Sequence, residues 1–339
     1  MKAIEVIGKK DDARLEIGFA AVAILTVAAC GSDDSISTRK AVSQLQPDAG
    51  PDQTVLVGAQ VTLDGSASSE AVCDYAAWAS LRLSAPLTLL HVLEPNVGAS
   101  PADLSGSIGL GSREHLLSEL AELDERRARL LREQGKLMLD AATARVRADG
   151  VAEPALRQRH GRLVDTLQEL ESDIRLLVVG RQGEAGGSAA SQVGSQLESV
   201  IRTMHRPVLV STGVFRSPQR VLVAFDNSPS VRKGLDLLLQ SPLLAGLAMH
   251  LLMVGADTAD AREALEFARL QLQQAGVTAT AEIRAGAEVD SVLLACQREQ
   301  AMDLIVMGAY GHSPIRRFLV GSTTTSMLRH AECPLLLLR

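Results

Sequence analysis

Near its carboxyl end the chain leaves an apolar run, LIVM at residues 304–307, and enters a glycine-rich segment. Three glycines follow with two and then nine residues between them: Gly308, Gly311 and Gly321. A hydroxyl-rich stretch comes next, made of Ser322, Thr323 and Thr324. Glycine allows the backbone to approach an anion closely, and the free N–H groups and dipole of a helix N-terminus favour negative charge. A strand, a glycine loop and a helix start in this order predict a phosphate-binding site.

The same order of features occurs a second time, upstream of this one. Four residues repeat it, with two and then ten residues between the glycines: Gly180, Gly183, Gly194 and Ser195. The copies then stay in register, because Pro207 and Pro334 each lie thirteen residues after the last glycine of their own copy. Each proline opens a short apolar run of the kind that forms a buried strand. Internal duplication accounts for this agreement and predicts two domains with one fold.

Short apolar runs alternate with helical stretches from about Val55 onwards, which is typical of a parallel α/β sheet. We predict two tandem domains, residues 55–215 and 218–339, each a doubly wound five-stranded parallel sheet with helices on both faces. In the first domain, QVTLDGS is expected to supply the first strand, which ends at Asp64, and APLTLLHVLE the second. In the second domain, the first strand is expected to end at Asp226.

Residues 112–149 are rich in Leu, Ala and charged residues and predict one long helix that stops at Gly150. Glu and Arg mix along this helix at spacings that allow ion pairs one turn apart. Two interpretations of its surface stay open, a solvated face and a docking surface for a partner.

Residues 1–54 do not share the repeat and are expected to be poorly ordered. An apolar run at residues 17–29 leads into VAAC and resembles the cleavage box of a bacterial lipoprotein, with Cys30 as the lipidated residue. A later segment, beginning DAGPDQTVLVG, resembles the start of a PKD-type extracellular β-sandwich. Two interpretations stay open, a fusion remnant without a cellular role and a working export leader.

The overall composition argues against several classes of function. The net charge of −6 and the pI of about 5.7 disfavour a nucleic-acid binder with a basic surface. Aromatic residues make up 2% of the chain, too few to provide stacking platforms for single strands. The four cysteines form no CxxC pair, so we expect neither a metal site nor a disulfide framework. The sequence holds no Walker, Gly-x-Ser-x-Gly or HExxH motif, and we assign no catalytic residue.

The Gly-x2-Gly-x9-Gly-Ser pattern resembles the nucleotide loop of the universal stress protein family, and the resemblance covers roughly residues 60–339. It implies a fold of the nucleotide-binding α-hydrolase type with ATP or AMP as the ligand, and Mg²⁺ as an optional companion of the nucleotide. Carried over to this chain, it places Asp226 at the nucleoside and Ala224 and Val254 at the base. The phosphate wall would consist of Met307, Gly308, Gly311, Gly321, Ser322 and Thr323. Alternatively, Asp226 caps the helix that follows its strand.

The resemblance gives the first domain a weaker copy of this site, made of Asp64, Val92, Gly180, Gly183, Gly194 and Ser195. Its loop carries Glu184 where the second domain carries His312, and a carboxylate would repel a phosphate. We therefore expect one competent site, in the second domain. Because family members pair through their last strands, the first domain would act mainly as a pseudo-dimer partner, and a homodimer is a further option.

These features predict a regulatory protein of the stress response that binds an adenine nucleotide and is not an enzyme. Two alternatives stay open, a weak ATPase and a nucleotide-free structural or adaptor dimer. A regulator that responds to ATP belongs in the cytoplasm, whereas a lipid anchor on Cys30 would carry the protein to a membrane. We expect no nucleic-acid partner, and no membrane association unless Cys30 is lipidated.

Overall fold

The computed structural model describes residues 23–27, 67–94, 110–181, 195–309 and 322–338. These residues form one sheet with helices on both faces. The strands are β1 Ala23–Val27, β2 Thr88–Leu93, β3 Ala155–His160, β4 Leu177–Gly180, β5 Val208–Ser211, β6 Arg220–Ala224, β7 Ala248–Val254, β8 Ala279–Arg284, β9 Leu304–Gly308 and β10 Leu335–Leu338. The helices are α1 Ala67–Leu83, α2 Leu110–Ala148, α3 Leu163–Leu170, α4 Ser195–Thr203, α5 Pro229–Gln240, α6 Ala259–Gln274, α7 Val289–Glu299 and α8 Ser322–His330.

The ten strands follow the order β3-β2-β1-β4-β5-β10-β9-β6-β7-β8. Read inwards from either edge, each half has the order third, second, first, fourth and fifth strand, and all pairs within a half are parallel. The halves meet where β5 and β10 pair antiparallel, with Leu336 opposite Leu209. The expected pair of five-stranded parallel sheets is confirmed, and the last strands join them into one.

The first strand of the first half differs from the expectation. Strand β1, AILTV, lies between β2 and β4 and pairs with β2 from Ala23 opposite Leu89 to Val27 opposite Leu93. From the sequence, this position is expected for the strand ending at Asp64, which lies outside the described residues. A strand with a neighbour on each side favours aliphatic and β-branched residues, and AILTV meets this demand better than QVTLDGS. Part of segment 1–54, expected to be poorly ordered, therefore belongs to the sheet.

Two apolar cores lie on the two faces of the sheet. Alternate residues of a strand enter different cores because side chains of a strand alternate in direction, as Leu89 and Leu90 do in β2. Helices α1, α2, α5 and α6 cover one core, and α3, α4, α7 and α8 cover the other. Each core extends through both halves, so the halves share their packing as well as their strands.

Helix α1 connects the two halves on one face. The Tyr75 ring meets the Phe215 ring edge to face, with 4.7 Å between the centroids. The Tyr75 hydroxyl accepts a hydrogen bond from the Arg216 N–H at 3.2 Å and donates one to the Arg216 carbonyl oxygen at 3.3 Å. Arg82 Nε donates to the carbonyl oxygen of Leu243 at 3.0 Å. These contacts add to the β5–β10 pairing and fix the second half against the first.

The long helix predicted at residues 112–149 is present as α2, which has 39 residues. Among its described side chains, those in the core lie in the later part of the helix, where Met138, Leu139, Ala142 and Val146 are buried. Among the described helices, none combines the length and the apolar character that a membrane span requires.

Candidate functional site

The carboxyl ends of β6, β7 and β9 lie side by side, because β6 pairs in parallel with both of the others. On β7, Val254 lies two residues beyond the partner of Ala224. On β9, Gly308 lies two residues beyond the partner of Val223. In doubly wound sheets, ligands bind outside the carboxyl ends of the strands. The structure therefore brings three of the predicted site residues, far apart in the sequence, to one edge.

An apolar wall lines this edge. Ala224 and Val254 are half-buried and pack against the core together with Val292 from the first turn of α7. Gly286 lies beside them, and a Cβ built there would lie 2.4 Å from Val292 Cγ2 and 3.6 Å from Val254 Cγ1. A side chain at Gly286 would therefore displace Val292. Sequence reasoning missed both residues, although a glycine between a strand and a helix start, as in RAGAEVDSV, was an available signal.

Asp226 follows β6 and is exposed at the same edge. Its Oδ1 accepts a hydrogen bond from the Ser228 N–H at 2.9 Å, and the Ser228 hydroxyl oxygen accepts one from the Val231 N–H at 3.2 Å. Asn227 between them has a φ of 57°, in the left-handed region that Asn tolerates. The Asp226 carboxylate thus closes the turn before α5, and the capping role that the sequence offered for Asp226 is filled by the Ser228 hydroxyl. A contact between Asp226 and a nucleoside stays a prediction.

The start of α8 is tied to the end of β9. The Thr324 hydroxyl donates to the carbonyl oxygen of Ala309, one residue past the strand, at 3.1 Å, and Thr324 is buried. At the start of the helix, Ser322 is exposed and Thr323 is half-buried. Because the first N–H groups of a helix have no partner within it, the start of α8 offers backbone donors close to Gly308. Such donors, together with the helix dipole, suit an anion.

The remaining residues predicted for the phosphate wall divide into two groups. Met307 is buried in the core, and Gly308 is half-buried at the end of β9. Gly311 and Gly321 lie outside the described residues, and so do the basic loop residues His312, Arg316 and Arg317.

The first half carries a different side chain at its edge. Glu94 directly follows β2 and is half-buried. Its Oε1 accepts a hydrogen bond from the Leu163 N–H, at the start of α3, at 2.9 Å. Its Oε2 accepts one from the Gln196 side chain, in the first turn of α4, at 2.6 Å. A carboxylate of the chain itself thus joins the N-terminal turns of two helices. Sequence reasoning missed Glu94, although an acid directly after a strand, in HVLEP, was visible.

The other residues of the weaker predicted site are spread out. Val92 is a fully buried core residue of β2, Gly180 is buried at the end of β4, and Ser195 begins α4. Asp64, Gly183 and Gly194 lie outside the described residues, as does Glu184.

Elsewhere in the second half, three side chains bring atoms that could coordinate a metal ion close together. His250, Glu282 and Cys296 place one such atom each within 4.8 Å of the others. His250 Nε2 lies 3.0 Å from Glu282 Oε1, and Arg284 Nε lies 2.7 Å from the same oxygen. The Arg284 guanidinium supplies the positive charge that the carboxylate needs, so we assign no metal there.

The described cysteines do not add reactive groups. Burial raises the pKa of Cys333 to about 12 and that of Cys73 to about 12. Both thiols stay protonated at neutral pH and pack as small apolar side chains.

The fold and this edge define a class of protein, a tandem pair of doubly wound α/β domains joined through their last strands. A family model described as the universal stress protein family matches residues 53–212 and 218–339. The chain therefore belongs to the universal stress protein family.

Two named sequences and one solved structure illustrate the similarity, which extends over most of the chain. Universal stress protein Slr1230 from Synechocystis sp. is 34% identical over 280 residues, which cover 81% of this chain and 97% of that protein. Universal stress protein Rv2005c from Mycobacterium tuberculosis is 24% identical over 305 residues, which cover 83% and 97%. A solved universal stress protein from Archaeoglobus fulgidus has a TM-score of 0.57 at 19% identity and covers 83% of this chain and 95% of its own. That structural likeness supports the fold.

Proposed function

We propose that the second half binds an adenine nucleotide, ATP or AMP, and that the protein acts as a nucleotide-dependent regulator in a stress response. The observation that carries this proposal is the meeting of two surfaces at one sheet edge. The half-buried wall of Ala224 and Val254 suits a flat apolar base. The start of α8, held against β9 by Thr324, suits phosphate.

In this proposal the nucleotide lies across the carboxyl ends of β6, β7 and β9. The base contacts Ala224, Val254 and Val292, and Asp226 accepts a hydrogen bond from the ribose. The phosphates lie against the glycine loop and the N-terminus of α8, near Ser322. Where Mg²⁺ accompanies ATP, phosphate oxygens and water supply most of its ligands. No residue is assigned a catalytic role, and binding acts by favouring one conformation or partner-binding state over another.

The first half serves mainly as the pseudo-dimer partner of the second in this proposal. Two observations support that role. Strand β5 pairs with β10, so the halves associate through their last strands within one chain. Glu94 also brings a negative charge to the edge where a phosphate would otherwise approach. A protein that responds to cytosolic ATP would work in the cytoplasm.

The test compares matched glycines of the two loops. The protein is purified without added nucleotide and denatured, and any released small molecule is identified by chromatography and mass spectrometry. We expect ATP or AMP at about one per chain in the parent and in Gly194→Glu, and none in a folded Gly321→Glu variant. Added ATP should also stabilise the parent, by about 2.7 kcal/mol at a hundredfold excess over Kd.

Two other outcomes would replace the proposal with its alternatives. If nothing is released and millimolar ATP leaves the melting temperature of the folded parent unchanged, a nucleotide-free adaptor takes its place. If the parent releases inorganic phosphate from ATP and Gly321→Glu does not, the protein is a weak ATPase.

A further inference from the structure

Helix α2 extends well beyond the body of the protein. Every described side chain from Ser118 to Gln134 is exposed except the half-buried Leu131. At 1.5 Å per residue, this stretch is about 25 Å long. The later part of the helix is anchored, because Arg145 makes two hydrogen bonds to the Asp74 carboxylate, at 2.7 and 2.9 Å. This stretch of α2 therefore projects from the first half, and the described part of the chain does not pack over it.

A stripe of leucines runs along this helix. Leu123, Leu130 and Leu137 are spaced seven residues apart and are 58%, 70% and 57% exposed. A step of seven residues falls only about 20° short of two full turns, so the three side chains lie almost in line. Leu120, one turn before Leu123, is 48% exposed and widens the stripe. We call these four residues the leucine stripe.

The leucine stripe is not the face that packs on the sheet. The buried face of α2 contains Met138, Ala142 and Val146, which recur every four residues. Leu137 lies about 140° around the helix from Ala142. Helices that pack along one another carry apolar side chains at two positions of each seven-residue repeat. The leucine stripe fills one of these positions at Leu123, Leu130 and Leu137 and the other at Leu120.

Two successive stretches of α2 carry opposite net charges. Residues 110–125 contain one arginine and five acids, a net charge of −4. Residues 126–141 contain five basic residues and two acids, a net charge of +3. Two copies of the helix side by side and parallel would place like charges together. An antiparallel pair instead places the acidic end of each copy against the basic end of the other.

The surface by which the halves pair is already used within the chain. Strands β5 and β10 pair with each other, so neither is an open edge for a second molecule. An association of two chains must therefore use another surface.

On α2, Glu122 pairs with Arg126 at 3.5 Å and Glu125 with Arg129 at 3.1 Å, which offsets part of the positive charge at the middle of the helix.

We propose that two copies of this chain associate through their α2 helices, which pair antiparallel along the leucine stripe. Leu123 of each copy lies against Leu130 of the other, and the twofold axis passes near Arg126 and Arg127. The contact is short, so the dimer dissociates on dilution, and salt weakens it because opposite charges flank the apolar seam.

The first test measures mass against concentration by analytical ultracentrifugation. The parent should rise from 35.9 kDa towards twice that mass as its concentration increases. Leu123→Glu/Leu130→Glu should stay at the monomer mass. Leu270→Glu is the matched control, since it changes a leucine on α6 that is 42% exposed and lies off the stripe, and it should dimerise as the parent does. A parent that stays monomeric at every concentration, or a double variant that still dimerises, would overturn the proposal.

The second test reads the orientation of the helices. Glu119→Cys and Gln134→Cys are made separately in a Cys30→Ser background, because Cys73, Cys296 and Cys333 are buried. In the proposed register, position 119 of one copy faces position 134 of the other. Mild oxidation of the mixed variants should then link Glu119→Cys to Gln134→Cys. A link between two copies of Glu119→Cys and none in the mixture would show a parallel pair and overturn the antiparallel assignment.

Discussion

The carboxyl edges of the two halves share a strand order but differ in the residue that directly follows the second strand. In the first half it is Glu94, whose carboxylate joins the Leu163 N–H to the Gln196 side chain. In the second half it is Gly255, which has no side chain to reach across the edge. A duplicated framework can thus be kept while one edge carries a carboxylate and the other has no side chain at the same position.

The second strands of the two halves, β2 and β7, each carry a buried histidine, and the surroundings of the two histidines differ. His91 of β2 is fully buried, its Nδ1 lies 3.2 Å from Gln158 Nε2, and its Nε2 has no partner among the described residues. His250 of β7 has partners at both nitrogens, Thr280 Oγ1 at 2.8 Å and Glu282 Oε1 at 3.0 Å. Protonation of His91 would therefore place a charge in a buried site where Nε2 has no partner among the described residues, whereas both nitrogens of His250 have hydrogen-bond partners.

The largest expected effect is a loss of stability at acidic pH that we assign to His91 and not to His250. Burial, with a smaller contribution from His160, lowers the pKa of His91 from 6.5 to about 4. Between pH 6.5 and 4, the unfolded chain binds a proton at His91 and the folded chain does not. Proton binding therefore favours the unfolded state, and the free energy of unfolding falls as the pH is lowered through this window. We expect the free energy of unfolding to fall by on the order of 3 kcal/mol across that window. Urea titrations at pH 7 and pH 4.5 measure it.

The control for this prediction replaces each histidine in turn. His91→Gln should show a smaller loss between the two pH values than the parent, and His250→Gln should retain the loss associated with His91. An unchanged pH dependence in His91→Gln would remove His91 as its source.

A smaller effect is expected when the carboxylate at the first edge is removed. Glu94→Ala leaves the Leu163 N–H and the Gln196 amide without their acceptor, and we expect a loss of about 2 kcal/mol. Glu94→Gln keeps one acceptor oxygen and should lose less. The measurement is the urea midpoint, combined with a count of nucleotides bound per chain.

The outcomes at Glu94 sharpen the comparison of the two edges. An unchanged midpoint in Glu94→Ala would show that the carboxylate does not hold α3 and α4 together. A second nucleotide bound per chain would show that Glu94 alone closes the first edge.

The smallest effect concerns one helical glycine from each half. A Cβ at Gly135 of α2 would lie 2.3 Å from His91 Cε1 and 2.4 Å from Gln158 Nε2. A Cβ at Gly234 of α5 would lie 2.4 Å from Leu338 Cδ1 and 3.0 Å from Leu338 Cβ, so it would crowd one aliphatic side chain rather than a ring and an amide. We expect Gly135→Ala to destabilise by about 1 kcal/mol, since crowding of the His91 ring exceeds the gain in helix propensity. Gly234→Ala should change stability less, and the reverse order in urea midpoints would contradict this account.

Much of the fold could be predicted from local sequence. Apolar runs such as LIVM and LLLL mark buried strands, and the repeated glycine and proline positions show the duplication. Strand β1 was not identified from the sequence, because QVTLDGS and AILTV both have strand-like composition and the pairing of AILTV with β2 and β4 becomes visible only in the fold.

The parts of the site that sequence reasoning missed depend on contacts between distant residues. Glu94 accepts hydrogen bonds from Gln196, 102 positions away, and from Leu163, 69 positions away. Periodicity describes how a segment buries one face, but it does not identify the segment that lies opposite. Gly286 and Val292 were missed for the same reason, because their role follows from their position beside Val254.

The antiparallel pairing of β5 with β10 has a consequence for how the two halves are constrained. In a dimer of identical chains, each residue is present twice, and a change at one edge alters both. In one chain the halves are joined by a short connection, so their pairing is an intramolecular event that dilution does not reverse. The edge with Glu94 and the edge with Gly255 can therefore differ inside one molecule, and no sorting of subunits is needed to bring the unlike halves together.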